Sequence, residues 1–395
     1  GKTPSTNNES YYNSNDYMFV TPDDLTGSTY LLDSSKRHIS NDGFLSIKTN
    51  TIPSDSVMVT CIGNIGNCGI STKPCATNQQ INSITDINQN LANPMALYYF
   101  LKICGNQLEK MASTTVMPIL SKGKFENIDI SLPDIHTQAK IAQIGSSLDD
   151  KIALNNKINS QLEEIIDLIY NYWFVQFDFP DENGRPYKSS GGKMVYNPEL
   201  DCDIPEGWKA LALKDKLEFK RGTEVGGKAY SNTRESDNYI KFYRVRDMDS
   251  DSLTWVDGSN NKVRILKPGD VAVSFDGTAG KIGVNINGAI SSGIRHIFDK
   301  TGDMPDSVIW SIFRSNSIQE ILRQYVASRG SILAHAGGAI DDMQIPYDAE
   351  IYREYAKIAD PIYKLIVNNL QENQQLASLR DWLLPMLMNG QVVIK

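Results

Sequence analysis

The chain has 395 residues, 41% of them hydrophobic and 22% charged, with a net charge of −8. That length predicts two or three domains, and the composition is that of an ordinary globular protein. No apolar run approaches the ~18 residues of a membrane span, the start GKTPSTNNES lacks the basic and apolar regions of a signal peptide, and the acidic balance requires any nucleic-acid contact to use local basic patches or a partner's field.

In chain order, residues 1–133 read as an α/β module with short β-branched runs such as Val57–Cys61 and a helix opening at Asn93-Pro94. Residues 134–180 follow as one long helix bracketed by Pro133 and Pro180, with Gly145 its one glycine. A 3-4-3-4 walk through Ile141, Ile144, Leu148, Lys151, Asn155, Ile158, Leu162, Ile165, Ile169 and Tyr172 predicts a coiled-coil seam. A Gly/Pro/Ser-rich loop, Asp181–Asp203, leads to a fresh start at Ile204. Residues 181–346 form a second α/β module, and 347–395 a second long helix. Its seam is Ile351, Tyr355, Ile358, Ile362, Leu365, Asn369, Glu372, Leu376, Leu379, Leu383 and Met386, with Asp360-Pro361 predicting a restart or kink. Both seams turn polar midway, at Lys151/Asn155 and at Asn369/Glu372. Antiparallel pairing would bring the two polar layers together and fix the register at some cost in stability.

The two modules are copies. Val57–Ile84 and Val271–Phe298 have equal length, and Gly63, Gly66 and Gly69 fall on Gly277, Gly280 and Gly283 at an offset of 214. The tetrapeptide AKIA recurs at 139–142 and 356–359. So long a repeat is not a solenoid; it predicts two like domains, each followed by a like helix. Aligning Gly222 with Gly1 leaves Ile204–Arg221 without a counterpart, so the first copy is expected to lack an initial strand.

The repeat also tests smaller motifs. Cys61, Cys68 and Cys75 align with Phe275, Ile282 and Ala289, all apolar, which favours buried free thiols over a metal site. An odd number of cysteines suits a reducing cytoplasm. The glycine-rich stretches match neither GxxxxGK[ST] nor GxGxxG after a strand and read as turns between strands. His38, His136, His296 and His335 show no metal spacing. Glu218-Phe219-Lys220 after Asp215 has no counterpart in the first copy, and no Asn/Asp-Pro-Pro-aromatic methylation motif occurs. No cofactor or catalytic constellation is expected.

Two long signatures carry a resemblance. LPDIHTQAKIAQIGSSLDDKIALNNKINSQLEEIIDLIYNYWFVQFDF (Leu132–Phe179) resembles the central conserved region of specificity subunits of type I restriction–modification enzymes, and ENQQLASLRDWLLPMLMNGQV (Glu372–Val392) their distal conserved region. IPEGWKALALKDKLEFKRG resembles the opening of a target recognition domain, and GKTPST with YMFVTPDDL the early part of another. The missing first strand and Pro361 depart from the pattern. The resemblance implies an α+β fold: two α/β target recognition domains separated by two long antiparallel coiled-coil helices, with a pseudo-two-fold internal repeat. It implies a non-catalytic reader of a bipartite, asymmetric site on double-stranded DNA, acting in the cytoplasm. It also implies docking to two copies of a methyltransferase subunit, with restriction endonuclease subunits as further partners and no membrane. About 40 residues of helix span ~60 Å, enough to separate half-sites by one to two turns of DNA at ~3.4 Å per base pair.

Polar positions that differ between copies are the candidate readers. Asn78, Gln79 and Gln80 face Ser292, Gly293 and Ile294, with Arg295 next, and Thr114-Thr115 oppose Arg329-Gly330. Asn and Gln suit adenine and Arg suits guanine. Lys36, Arg37, Lys73, Lys122 and Lys124 in the first module, and Lys228, Arg234, Arg244, Arg246 and Lys281 in the second, are candidates for phosphates. For each residue singly, a solvated charge or turn residue is the competing reading. Two rival functions share parts of the pattern: a protein-binding coiled-coil adaptor, and a single-chain DNA methyltransferase or nuclease. The latter would need the catalytic motifs that are missing.

Overall fold

The computed structural model describes residues 1–26, 30–113, 118–260, 262–327 and 336–392, with Asn106 and Lys228 described in backbone only. The candidates Thr114, Thr115, Arg329, Gly330 and His335 lie outside the described residues, as does the Lys228 side chain. The chain divides into two compact units, 1–154 with 375–395, and 155–374.

Among its described residues the first unit contains eight short strands: β1 (Tyr17–Val20), β2 (Leu31–Leu32), β3 (His38–Ile39), β4 (Thr51–Ile52), β5 (Val57–Thr60), β6 (Cys68–Ser71), β7 (Cys75–Thr77) and β8 (Ile81–Ile84). Helices α1 (Asn41–Ser46), α2 (Pro94–Ile103), α3 (Gly105–Met111) and α4 (Lys122–Glu126) surround them. The strands form two sheets, β3-β1-β7-β4 and β2-β6-β5-β8. Strand β5 is buried at every residue, as expected for an apolar run lacking alternation. Asn93 caps α2 as the sequence predicts, accepting from the Met95 and Ala96 amides with Pro94 at the first helical position.

Helix α5 (Ile135–Phe174) belongs to the first unit up to Leu154 and to the second beyond it. The second unit adds β9 (Met194–Asn197), β10 (Cys202–Pro205), β11 (Lys209–Ala212), α6 (Leu213–Lys216), β12 (Leu217–Arg221), β13 (Tyr239–Tyr243), β14 (Trp255–Asp257), β15 (Ile265–Leu266), β16 (Val271–Ser274), β17 (Ile282–Gly283), β18 (Gly288–Ile290) and β19 (Ile294–Asp299). It continues through α7 (Asp306–Arg314), α8 (Asn316–Ala327), β20 (Gln344–Tyr347) and α9 (Ala349–Met388). Its main sheets are β14-β13-β18-β15 and β12-β19-β16-β17.

The duplication is therefore structural. Sheet β14-β13-β18-β15 repeats β3-β1-β7-β4 strand for strand, including the parallel pairing of its central strands. Strands β17-β16-β19 repeat β6-β5-β8 in the same antiparallel register. The glycine-rich stretches are the turns between β5 and β6 and between β16 and β17. Gly63 and Gly277, and Gly66 and Gly280, all hold positive φ, where a side chain would be strained. Each turn is closed alike: the Thr60 and Ser274 hydroxyls donate to Asn64 O and Thr278 O, and accept from the Asn67 and Lys281 amides at 3.0 and 2.9 Å.

Beyond this turn the expected alignment slips by one. Ile84 pairs with Val57 as Ile297 pairs with Val271, so Ile81 corresponds to Ile294 and Asn82 to Arg295. Cys75 consequently matches Gly288, not Ala289, and Asn78–Gln80 match Ser291–Gly293. From the aligned pair Gly69 and Gly283, the chain reaches Cys75 after six residues and Gly288 after five. The placement of Gly1 agrees with the expected match to Gly222. Gly1 N donates to Ile81 O at 3.2 Å and Lys2 N to Thr77 O at 2.8 Å, while Gly222 N donates to Ile294 O at 2.9 Å and Thr223 N to Ile290 O at 3.0 Å.

The long helices bury Tyr355 and Asn369 of the expected seam, but over much of their length the buried face lies one residue later. Ile141 and Asn155 are buried, and Ile144, Leu148, Ile158, Leu162, Ile169, Ile362, Leu376 and Leu383 are half-buried. Ile165, Ile358, Leu365 and Leu379 are exposed, at 45%, 36%, 45% and 45%. The buried heptads run one position later: Asp149, Ile152, Asn159, Ile166, Tyr170 and Trp173 on α5, and Tyr352, Ala359, Tyr363, Ile366, Arg380 and Leu384 on α9. Polar residues hold part of the inner face, and a count of apolar positions steps around them. In the first unit Asp149 accepts from Arg380 and, at 2.9 Å, from Tyr99. In the second, Asn155 donates to Glu372 and Asn373 at 2.7 and 2.9 Å, and Asn369 donates to Asn159 at 2.8 Å. The descending partners of ascending residues make this pairing antiparallel, and the polar layers do meet. Of the expected restart or kink at Asp360-Pro361, the restart does not occur: helix α9 passes Pro361 without ending. Gly145 is required by close approach, because a Cβ there would stand 2.5 Å from the Tyr99 ring. No helix of the described residues is long and apolar enough to cross a membrane.

Candidate nucleic-acid interface

The loop between β7 and β8 crosses the end of β1, and the geometry there gathers polar groups that the sequence keeps far apart. After β1 the chain turns through Pro22–Asp24, where Asp24 accepts from the Thr21 amide at 2.7 Å and its hydroxyl at 2.9 Å. Arg37 lies just before β3, its carbonyl accepting from the Phe19 amide at 2.9 Å. Thr21, Pro22, Asp23, Arg37, Asn78 and Gln80 together line a cleft of about 190 Å³. Asn78 orders it: its Oδ1 accepts from the Gln80 amide at 3.0 Å and its Nδ2 donates to Gln80 Oε1 at 2.8 Å. Gln79 turns away and accepts from Thr3 at 2.9 Å. Lys36 and Lys73 are exposed.

The second unit builds the corresponding place differently. Arg244 opens the turn Val245–Asp247, with its amide donating to Asp247 at 3.0 Å, as Thr21 does to Asp24. Its guanidinium lies 4.6 Å from the Tyr230 ring centroid, a cation–π contact. Tyr230 donates to Glu224 at 2.6 Å, and Glu224 accepts from the amide and hydroxyl of Ser292, both at 3.2 Å. Burial pushes the Glu224 carboxyl up, but these hydrogen bonds and Arg244 prevail and hold it below its ordinary value. Arg221 donates to Ser292 O at 2.8 Å and to Asp276 at 3.2 Å. Arg246 is 73% exposed beside Asp247.

The other candidates are distributed around these places. Arg295 lies over the Phe275 ring at 4.7 Å, so part of its cationic face is already used within the fold. Lys281 is paired with Asp249, and Arg234 lies 3.5 Å from Asp237. Lys122 pairs with Glu126 at 3.4 Å, and Lys124 donates to Met111 O at 2.8 Å. The structure thus brings Arg37, Asn78 and Gln80 together, and Arg244 near the Ser292 loop. Lys122 and Lys124 are helix-surface residues of α4. Sequence reasoning missed Thr21, Asp23, Arg221, Glu224 and Tyr230. The recurring aspartate at the end of each turn, Asp24 and Asp247, was the signal that would have aligned the first two with Arg244 and Arg246.

Among the described residues no group of three or more His, Cys, Asp or Glu side chains is placed to hold a metal ion. Cys61 and Cys75 are buried free thiols, and burial pushes Cys68 and Cys75 each up to about 12, which makes them poor nucleophiles.

The family model described as "Type I restriction modification DNA specificity domain" matches residues 1–164. The MjaIX specificity subunit of a type I restriction enzyme from Methanocaldococcus jannaschii is 24% identical over 411 residues, covering 100% of this chain and 91% of that protein. The HindI specificity subunit of Haemophilus influenzae is 22% identical, covering 78% of this chain and 80% of its own length. The crystal structure of a type I restriction–modification S subunit from M. genitalium shares the fold, with a TM-score of 0.53 at 12% identity over 100% of this chain and 94% of that one. Residues 1–164 thus match the type I restriction modification DNA specificity domain, and the chain as a whole, with its duplicated sheets and long helices, is similar in sequence and fold to type I specificity subunits.

Proposed function

We propose that this chain is the non-catalytic, DNA-reading subunit of a cytoplasmic type I restriction–modification complex. Residues 1–133 and 181–346 each read one half of a bipartite, asymmetric site, and the helices 134–180 and 347–395 space the two halves and dock two methyltransferase subunits. The observation that carries this reading is the contrast within the repeat. Strand order and register are kept between the halves, while the polar groups around the Asn78 and Ser292 loops are exchanged. A scaffold held constant under a changed polar surface is what two different half-sites require.

The helices support the docking part. Ile165, Leu168 and Tyr172 on α5, with Val175 just past its end, follow one another at helical spacing and are exposed by 45%, 68%, 36% and 55%. Contiguous exposed apolar surface of this kind marks a protein interface. Trp382, the position matched to Ile165 at the AKIA offset of 217, is 64% exposed, which supports two equivalent docking faces. Co-purification with the methyltransferase subunit, followed by sequencing of the methylated DNA, tests the proposal. A complex of one such chain with two methyltransferases that modifies a single split motif is expected. Methylation by this chain alone, or no association with any methyltransferase, would refute it.

A further inference from the structure

The exchanged positions can be paired one to one, because the backbone around them is the same in both units. Val20 sits opposite Thr77 as Tyr243 sits opposite Ile290, so Thr21 and Asp23 correspond to Arg244 and Arg246. The Phe19 amide donates to Arg37 O at 2.9 Å as the Phe242 amide donates to Thr254 O at 2.8 Å, so Arg37 corresponds to Thr254. In the first unit the arginine therefore stands on the strand side of the cleft and the turn carries a threonine and a carboxylate. In the second unit the turn carries two arginines and the strand side a threonine. The cations have changed walls around an unchanged backbone.

We infer that the charged members of these three pairs, Asp23 and Arg37 in the first unit and Arg244 and Arg246 in the second, are specificity-determining contacts to base edges, an assignment that rests on the DNA-reading function proposed above; the paired Thr21 is buried, its hydroxyl donating to Asp24. Phosphate contacts present the same chemistry at every step of a duplex and give no reason for charge to change sides. Base edges do: a carboxylate accepts from the cytosine amino group, an amide pairs with adenine, and a guanidinium pairs with guanine O6 and N7. Asp23, beside Asn78 and Gln80, suits a half-site in which amino groups are read. Arg244 and Arg246 suit one in which guanine is read. Asp23 is the telling member, because a carboxylate repels phosphate and contributes nothing to positioning.

The test uses the full chain in complex with its methyltransferase subunit. Asp23→Ala and Arg246→Ala are each made, and the complexes methylate a genomic DNA whose modified positions are then sequenced. Asp23→Ala is expected to widen the bases accepted in one half of the motif only, and Arg246→Ala in the other half only. Discrimination at the relaxed position should fall roughly 5- to 150-fold. An unchanged motif, equal relaxation of both halves, or a uniform fall in methylation at all sites would overturn the assignment; the last would make these residues backbone contacts. Should the wild-type complex methylate no split motif, the DNA-reading function itself fails and the assignment falls with it.

Discussion

Among single residues, the groups with most at stake are buried and polar. Asp149 and Arg380 form an ion pair with side chains only 1% and 10% exposed. Removing one partner leaves the other charge uncompensated, so Arg380→Ala should destabilise by about 3–5 kcal/mol in denaturant unfolding, whereas changing both to apolar residues should cost much less. In the second unit two groups titrate in opposite senses. Burial, with Asp270 and Asp360 nearby, pushes Asp306 up to about 6. Burial and Arg264, opposed by Asp270, push His296 down to about 4. The folded state thus holds the proton on Asp306 more tightly than the unfolded chain does, and that stabilisation is lost as pH rises from about 4 through 6. His296 has the reverse effect, its contribution being lost as pH falls from about 6.5 through 4. Asp306→Asn should therefore stabilise the protein at pH 7 by at most ~3 kcal/mol and leave it unchanged near pH 4. A melting-temperature difference that did not shrink on acidification would contradict this.

At the level of elements, the long helices were legible in length and position but not in rotation. Leu148, Ile158 and Leu365 satisfy an apolar heptad, yet Asp149, Asn159 and Ile366 are the buried neighbours. Sequence periodicity assumes that the inner face is apolar. Here a ladder of amides and an ion pair occupies part of it, and apolar side chains are left outside. The slip between Gly69 and Cys75 was hidden for another reason: past Ile70 and Val284 the copies share no landmark, because Ile286 and Gly288 of the second have no like residue among Ser71–Cys75 of the first. In the polar clefts the candidates Arg37, Asn78, Gln80 and Arg244 were visible as unlike residues in like copies. Asp23 and Glu224 were not, because surface carboxylates carry no signal until a neighbouring strand brings them to the site. The outward stripe on α5 gives an element-scale test. Ile165→Asp with Leu168→Asp should abolish co-purification with methyltransferase while shifting the melting temperature by no more than about 2 °C, as expected for exposed positions.

At the scale of the whole chain, duplication supplies two similar sheets that differ at both edges: β6 has β2 as its outer neighbour, whereas β17, among the described residues, has none. Strand β19 has β16 on one side and β12 on the other, whereas β8 has β5 on one side and, among the described residues, no strand on the other. A groove of about 810 Å³ runs beside that edge, lined in part by Asn82, Ser83, Ile84, Leu101, Phe125 and Ile128. Hydrogen-exchange rates should report the difference directly. Amides of β8 that face away from β5 should exchange orders of magnitude faster than their counterparts in β19, because they open without breaking a ladder. Each half of the chain thus serves as the other's internal standard, so that a change in one can be measured against an unaltered twin in the same tube.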